Sequence, residues 1–308
     1  MSIASDIYRV YAIKYAFHDR PAADNFIGGD SHDVRMPLDY FVWVIVGESR
    51  TWLVDTGFDE EQAVRRGRTI TRPVTEGLKE LGVDPGAVED IILTHMHYDH
   101  AGNRDLFPRA RYHLQDREMA YCTGRCMCHP ALNHPFEAAD VARMVHRVFD
   151  GRVRFHDGDS QIAPGLSVHL VGGHTNGLQA VRVRTQQGWL VLASDASHLY
   201  ANMEQQRPFP VVYNVGDMLE GYARLHSLAD SPRMVVPGHD PEVLKRFPAA
   251  KPQHEGWIVR LDAGHRERRR RRLPPAPAQP SAAARRAPWR GGSSCRPAAP
   301  PPRPAATG

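Results

Sequence analysis

One segment constrains this chain more than any other part of its sequence. Residues 94–102 read THMHYDHAG and place four metal-binding side chains close together, namely His95, His97, Asp99 and His100. The apolar run before them, residues 88–93, predicts a buried strand. In an extended chain His95, His97 and Asp99 point to one side, so a turn must come before His100. Imidazole and carboxylate bind zinc and its neighbours, and the segment predicts two divalent ions at the end of a strand.

The rest of the body alternates between short strands and amphipathic helices. Apolar runs predict further strands at 41–46, 51–54, 166–171, 179–184, 189–193 and 233–236. Helical periodicity predicts helices at 74–81, 115–120, 137–149 and 215–228. This order is typical of an α/β fold with layered sheets and outer helices.

The net charge of +4 is unevenly distributed. Residues 264–308 hold eleven arginines and one acid, about +10, which leaves about −6 for residues 1–263. The same segment is rich in Pro and Ala, cannot bury a core, and is predicted to be a disordered tail. We therefore predict one folded domain at 1–263, followed by the tail. Nucleic acid is not an expected partner of this acidic body.

The compartment is predicted from what the sequence contains. The N-terminal residues do not follow the pattern of a secretory signal, and no apolar run is long enough to span a membrane. Three of the four cysteines, Cys122, Cys126 and Cys128, are crowded together, which is no disulfide framework. A reducing cytoplasm is the expected location.

HxHxDH is the signature of the metallo-β-lactamase superfamily, and residues 38–247 resemble that superfamily. Other parts of its pattern follow in order: His174 in GGHTNG, Asp195 in LASDA and His239 in PGHD. The resemblance implies a four-layer αββα sandwich. It also implies that His95, His97 and His174 hold one ion, that Asp99, His100 and His239 hold the other, and that Asp195 bridges them. Asp55, in an Asp-Thr-Gly turn, matches a supporting position. Zinc is the expected metal.

The resemblance also implies a reaction. Two ions share a water, lower its pKa so that a bridging hydroxide forms, and stabilise the oxyanion that develops on a bound carbonyl. Asp99 is expected to accept a proton and to pass it to the leaving alkoxide.

Within the superfamily the chain is similar to the N-acyl-homoserine lactonase-like branch, through HMHYDHAGN, the short spacing from Asp195 to His239, and MPLDYF at 36–41. A lactone or another small ester is therefore the expected substrate, with quorum quenching as the biological role; a homodimer stays open. The branch commonly has a Tyr three residues after the bridging Asp, where this chain has His198. His198 is predicted to donate to the substrate carbonyl, with a solvent-facing loop residue as the alternative and Tyr200 or Tyr213 as substitutes.

Two other functions stay open. A glyoxalase II-like thioester hydrolase would share the ligand set, although Asn103 stands where those enzymes usually have a second Gly. A non-catalytic metal- or RNA-interacting protein is the reading from another class. Residues 122–129 are interpreted as a loop of reduced thiols near the site, with a third metal site as the alternative. Residues 121–136, Phe209 and Tyr213 are candidates for an apolar acyl pocket.

Overall fold

The computed structural model describes residues 6–266, with only the backbone of Arg104. Within that range one mixed sheet has eight strands in the order β13-β1-β2-β3-β5-β6-β7, with β4 paired to β1. Its strands are β1 (Arg9–His18), β2 (Leu38–Val46), β3 (Thr51–Val54), β4 (Thr69–Ile70), β5 (Asp90–Ile92), β6 (Arg111–Gln115), β7 (Val153–His156) and β13 (Ile258–Arg260). β3, β5, β6 and β7 are parallel to one another, and β1, β2 and β13 are antiparallel to their neighbours.

The second sheet of the described residues has five strands in the order β12-β11-β10-β9-β8. They are β8 (Ser160–Ala163), β9 (Leu166–Leu170), β10 (Gln179–Thr185), β11 (Gly188–Ser194) and β12 (Val235–Pro237). Neighbours are antiparallel except β11 and β12, which are parallel. Parallel strands end at the same edge, so the segments that follow β11 and β12 meet there.

Helices cover the outer faces of the two sheets. They are α1 (Glu60–Arg66), α2 (Val74–Glu80), α3 (Tyr98–Ala101), α4 (Asp116–Cys122), α5 (Pro130–Asn133), α6 (Ala138–Phe149), α7 (Tyr200–Glu204), α8 (Val215–Leu228) and α9 (Glu242–Arg246). No helix of residues 6–266 is long and apolar enough to cross a membrane.

Alternation along β2 divides the core in two. Phe41, Trp43 and Ile45 join the apolar cluster between the sheets, which also contains Val181 and Leu192 of the second sheet. The intervening Tyr40, Val42 and Val44 join a cluster on the opposite face, together with Leu78 of α2 and Met144 of α6. Successive side chains of a strand point to opposite faces, so this pattern buries both faces of the first sheet. The predicted α/β, four-layer αββα sandwich is confirmed.

Every predicted strand and helix is present, with ends that differ by a few residues. The predicted strand at 233–236 begins later, at Val235, because residues 232–234 form a turn of 3₁₀ helix. Strands β1, β4, β6, β7, β8 and β13 were not predicted. Of the predicted tail, residues 264–266 contact the body: His265 packs on Phe247, and Arg266 pairs with Glu255. The rest of that prediction lies outside the described residues.

Candidate metal centre

The HxHxDH segment changes conformation in its middle. β5 ends at Ile92, and His97 is still extended, with φ −65° and ψ 155°. Helix α3 then begins at Tyr98 and carries Asp99 and His100. The turn expected before His100 therefore comes two residues earlier, before Tyr98. This break directs His95 and His97 to one part of the centre and the Asp99–His100 pair to another.

The second sheet supplies the other three residues of the predicted set. His174 lies in the loop after β9, Asp195 directly follows β11, and His239 follows β12. Gly238 permits the close approach of the last two, because a Cβ atom there would lie 2.7 Å from Oδ1 of Asp195 and 2.9 Å from the carbonyl oxygen of Ser194. Any larger residue would push β12 away from Asp195.

The structure brings all seven predicted residues together in two groups. Within each group the candidate ligand atoms lie within 4.8 Å of one another: His95, His97, His174 and Asp195 in the first, and Asp99, His100 and His239 in the second. All of them are buried or nearly so.

Asp195 faces both groups. Its Oδ2 lies 3.2 Å from Nε2 of His174 and 3.8 Å from Nε2 of His95. Its Oδ1 lies 2.9 Å from Nε2 of His239 and 3.3 Å from Nε2 of His100. One oxygen is thus directed at each group, which is the arrangement that a bridging carboxylate requires.

Hydrogen bonds on the far side of the rings fix which nitrogen faces the centre. Nδ1 of His174 donates to the carbonyl oxygen of Val211 at 2.7 Å, and Nδ1 of His239 donates to that of Asp39 at 3.0 Å. Nδ1 of His100 donates to Oδ2 of Asp55 at 2.7 Å. With Nδ1 protonated in each ring, Nε2 carries the lone pair that faces the centre, as outer partners of metal-binding histidines commonly arrange.

Thr94 ties the supporting Asp55 to the second sheet. Its backbone N–H and its hydroxyl donate to the two Asp55 oxygens at 2.8 and 2.9 Å, and its hydroxyl also lies 2.8 Å from that of Ser194. Asp55 and Ser194 have positive φ angles of 61° and 47°. Such backbone costs about 1–3 kcal/mol for a residue other than Gly and persists where its surroundings hold it. Here it aims Asp55 at His100 and the chain after Ser194 at the centre.

Glu118 is a supporting residue that the sequence did not reveal. It is fully buried on α4, accepts from the backbone N–H groups of Met96 at 2.9 Å and Gly177 at 3.1 Å, and accepts from the Thr175 hydroxyl at 2.6 Å. It therefore clamps the His95–His97 stretch to the loop that carries His174. Burial raises the pKa of its carboxyl above the usual range, and these three donors oppose that shift.

The electrostatics suit metal ligation. Burial lowers the pKa of His95 and His97 well below its usual value, and neighbouring histidines lower it further. Burial opposes ionisation of Asp195, yet the surrounding histidines hold the pKa of that carboxyl well below its usual range. Burial also opposes protonation of His100 and His239, yet the nearby carboxylates raise the pKa of both. Histidines bind metals as neutral imidazoles, so His95 and His97 are ready to bind an ion, whereas binding at His100 and His239 would release protons.

Buried nitrogen and oxygen atoms without hydrogen-bond partners test whether metal ions fit the centre. Nε2 of His95, Nε2 of His100 and Oδ1 of Asp195 are buried without a hydrogen-bond partner. An unpartnered buried polar group costs about 1–3 kcal/mol, and groups of this kind call for an explanation. Imidazole and carboxylate ligands in two adjoining groups fit two divalent ions of the zinc type.

His198 is buried, with 3% of its surface exposed, so the solvent-facing alternative is wrong. Its ring stacks on Phe209, with centroids 3.7 Å apart, and its Nε2 lies 3.0 Å from Oδ2 of Asp195. The proposed substitutes lie elsewhere: Tyr200 packs against Arg246, and Tyr213 packs against Tyr121. Among the three candidates, His198 is the one that lines the cavity over the centre.

That cavity measures about 90 Å³. Its lining combines the apolar side chains of Leu38, Phe209 and Val211 with the cations Arg20, Arg66 and Arg68. A separate apolar cavity of about 400 Å³ lies behind Phe136 and includes Cys122 and Met127. The candidate acyl pocket therefore divides: Phe209 lines the cavity over the centre, whereas residues of 122–136 line the second one. Among the described residues, no group suited to hold an ion contains a cysteine.

Relatives of this chain were identified by sequence. An N-acyl homoserine lactonase of Bacillus thuringiensis is 27% identical over 187 residues, which cover 56% of this chain and 69% of that protein. A probable metallo-hydrolase of Mycobacterium bovis is 27% identical over 225 residues, covering 62% of this chain and 71% of the relative.

Solved structures share the fold. A quorum-quenching N-acyl homoserine lactone lactonase superposes with a TM-score of 0.64 at 22% identity, covering 77% of this chain and 93% of that one. A dizinc quorum-quenching lactonase with a bound product superposes with a TM-score of 0.60 at 16% identity, covering 77% and 89%. Residues 35–239 match the sequence profile of the metallo-beta-lactamase superfamily. With the layered fold and the two ligand groups, this match means that the chain belongs to the metallo-beta-lactamase superfamily.

Proposed function

We propose that this protein is a metal-dependent hydrolase that opens a lactone ring, an N-acyl-homoserine lactone or a related one, with two zinc ions held by the seven residues of the centre. The observation that carries the proposal is Asp195, whose two oxygens face the two groups separately. The likeness to the Bacillus thuringiensis lactonase supports the choice of lactone over thioester.

The chain's own residues divide the work. Bound ions would lower the pKa of a water and polarise the lactone carbonyl. Asp99 lines the cavity, with Oδ2 3.6 Å from Nε2 of His100 and 3.7 Å from Nε2 of His239. A carboxylate at that position can accept a proton from the attacking water and return it to the alkoxide that leaves.

His198 positions the carbonyl in this proposal. Burial lowers its pKa to about 3, so its ring is neutral at pH 7 and carries one N–H. Nε2 faces Asp195, and Nδ1 is buried without a partner, so the N–H is on the nitrogen that faces the centre. From there it can donate to the carbonyl oxygen of a bound lactone.

Destruction of acyl-homoserine lactone signals would be quorum quenching, and we propose that role together with a cytoplasmic location. Cys122, Cys126 and Cys128 are free thiols, the state expected in a reducing compartment.

The test uses the full chain with its metal. Metal analysis should give about two ions per chain, and ring opening should be measured with acyl-homoserine lactones of several chain lengths, simple γ- and δ-lactones and a glutathione thioester. Asp99→Asn should lower kcat/KM for lactones by about 10²–10⁴-fold. Asp105→Asn, at an exposed ion pair with Arg143, is the matched control and should change little.

The other outcomes of the assay would change the proposed function. Turnover of the thioester alone would replace this proposal with the glyoxalase II-like one. If two ions were bound but no substrate was hydrolysed, the metal centre would be supported and the lactonase proposal would be wrong.

A further inference from the structure

The cavity over the centre carries more positive charge than an acidic body leads one to expect. Arg20, Arg66 and Arg68 all line the cavity that Asp99, Asp195 and His239 also line. Residues 1–263 carry about −6 in total, so this concentration is local. The three guanidinium groups differ in the ion pairs and hydrogen bonds that they already form within the protein.

Arg66 is committed to the protein. Its Nη2 pairs with Glu137 at 2.5 Å, and its two Nη atoms donate to the carbonyl oxygens of His134 at 2.8 Å and Phe136 at 3.2 Å. These contacts tie α1 to the loop before α6. Arg66 therefore has a structural role with its charge neutralised.

Arg20 and Arg68 have no such partner. Neither forms an ion pair with a carboxylate within the part of the chain that the structure describes, although both are partly buried. Arg68 donates through Nε to the Tyr98 hydroxyl at 3.1 Å and through Nη1 to the carbonyl oxygen of Arg66. Arg20 donates to the backbone carbonyl of Asp24, and its Nε is buried with no hydrogen-bond partner.

Among the described residues, carboxylates attract the two arginines only from beyond ion-pair distance, Asp24 at Arg20 and Asp99 at Arg68. His18 lies 3.4 Å from Nη1 of Arg68, and burial, then Arg68 and Arg20, lower its pKa to about 4, so it is neutral at pH 7. Asp19 is paired with Arg35 instead. Two partly buried guanidinium groups that lack a paired carboxylate beside one cavity are costly without an anion, because burial of a charge requires a partner.

The position of the pair relative to the centre is also defined. Arg20 lies over the ring of Phe209, 5.0 Å from its centroid, and Phe209 stacks on His198. Arg68 contacts Tyr98, which directly precedes Asp99. Arg20 is thus linked to Asp195 through Phe209 and His198, and Arg68 is linked to Asp99 through Tyr98. A group that they hold is distinct from the bond that is hydrolysed.

We propose that Arg20 and Arg68 form a subsite for an anionic group of the substrate, a carboxylate or a phosphate, so that the preferred lactone carries a negative charge away from its ring. This inference rests on the proposed lactonase function. Guanidinium groups match both anions because their planar N–H donors form two parallel hydrogen bonds to paired oxygens. The small cavity, about 90 Å³, suits a compact substrate better than a long chain.

The experiment compares pairs of substrates that differ in one anionic group. One pair is N-succinyl-homoserine lactone and its carboxamide, N-succinamoyl-homoserine lactone. The other is 6-phosphoglucono-δ-lactone and glucono-δ-lactone, corrected for spontaneous opening. The variants are Arg20→Gln, Arg68→Gln and, because Arg68 also holds Tyr98, Arg68→Lys. Arg65→Gln is the matched control, since Arg65 is exposed, pairs with Glu137 and does not line the cavity.

The wild type should favour the charged member of at least one pair in kcat/KM. Arg20→Gln and Arg68→Gln should lower that ratio about tenfold or more, the scale of one hydrogen bond to a charged group. Arg68→Lys should retain part of it, and Arg65→Gln should leave it unchanged. The pair with the larger ratio identifies the anion. Equal ratios in wild type and both Gln variants would overturn the subsite.

A binding measurement separates failure of the subsite from failure of the lactonase. Succinate and inorganic phosphate are titrated into the full, metal-loaded chain by calorimetry. Binding of either anion that weakens about tenfold in Arg20→Gln and Arg68→Gln, but not in Arg65→Gln, would support the subsite even if no lactone turned over. Affinity equal in all four proteins would place the anion on the ions or elsewhere and would overturn it.

Discussion

Two buried clusters of histidines within residues 6–266 behave differently. One is the metal centre. The other is a pair, His113 on β6 and His156 on β7, whose rings stack at an interplanar angle of 12°. Both are embedded in the same fold, and both contain an aspartate. A search for histidines and acids alone would not separate them.

The pair is charge-balanced without any ion, although Oδ2 of Asp90 has no hydrogen-bond partner. Nδ1 of His113 lies 3.0 Å from Nε2 of His156, and Nε2 of His113 lies 3.3 Å from Asp90. Asp90 is itself within 3.4 Å of Arg50 and Arg111, which balance its charge. No ring nitrogen of the two histidines is left buried without a partner.

The metal centre is the opposite case. Its nitrogens converge on one another, and buried atoms of His95, His100 and Asp195 have no hydrogen-bond partner. Residue types alone would indicate a metal site in both clusters. Ring nitrogens without hydrogen-bond partners distinguish a site for ions from a self-contained pair.

Four predictions test this distinction and are given in order of decreasing effect.

Asp195→Asn should lower kcat/KM by at least about 100-fold and reduce the metal content, because one oxygen that faces an ion becomes a donor. Asp90→Asn makes the same change in the histidine pair and should leave both quantities unchanged. Metal analysis and lactone opening check the two proteins side by side. Equal loss in both variants would contradict the comparison.

Removal of metal with a chelator should lower the free energy of unfolding, by about 2.7 kcal/mol if the free ion had stood at 100 times its dissociation constant. Thermal unfolding with and without chelator measures the shift. His113→Gln should be less stable than wild type but should retain the full chelator effect. A midpoint that does not respond to chelator in the wild type would mean that the centre holds no ion.

His198→Ala should lower kcat about 10–100-fold with a smaller change in KM, because the lost N–H acts on the carbonyl as charge develops. Tyr200→Phe should change little, since its hydroxyl is buried without a partner away from the cavity. His198→Tyr should recover part of the rate, as a hydroxyl can donate from that position. A rate loss confined to Tyr200→Phe would reverse the assignment.

The smallest effect concerns pH. Burial, then His113 and Arg154, lower the pKa of His156 to about 4 in the folded protein. The unfolded chain then binds a proton more readily than the folded one, so His156 contributes stability above pH 6.5 that is lost as pH falls toward 4. His156→Gln should therefore flatten the fall in urea midpoint over that window relative to wild type. Parallel curves for the two proteins would show that His156 does not titrate there.

Local patterns in the sequence predicted much of this molecule. HxHxDH identified four side chains of the centre because they stand together in the chain, and periodicity identified the strands and helices that position them. β1 was missed because its burial alternates irregularly, with Lys14 and Tyr11 among its apolar residues. Tertiary contacts could not be predicted for a different reason. Glu118 contacts Met96, and Arg20 lines the same cavity as Arg68, only after the chain has folded. Nothing in the adjacent residues marks such partners.

The arrangement of the centre across two sheets also has a consequence for biosynthesis. A ribosome delivers His95, His97, Asp99 and His100 long before His239, which arrives with β12 and is held by the carbonyl oxygen of Asp39. Until the second sheet closes, the nascent chain offers only part of each ligand group. If the centre binds ions as proposed, it would be loaded late in maturation, and the ions available at that moment, rather than during translation of the motif, would determine which metal is bound.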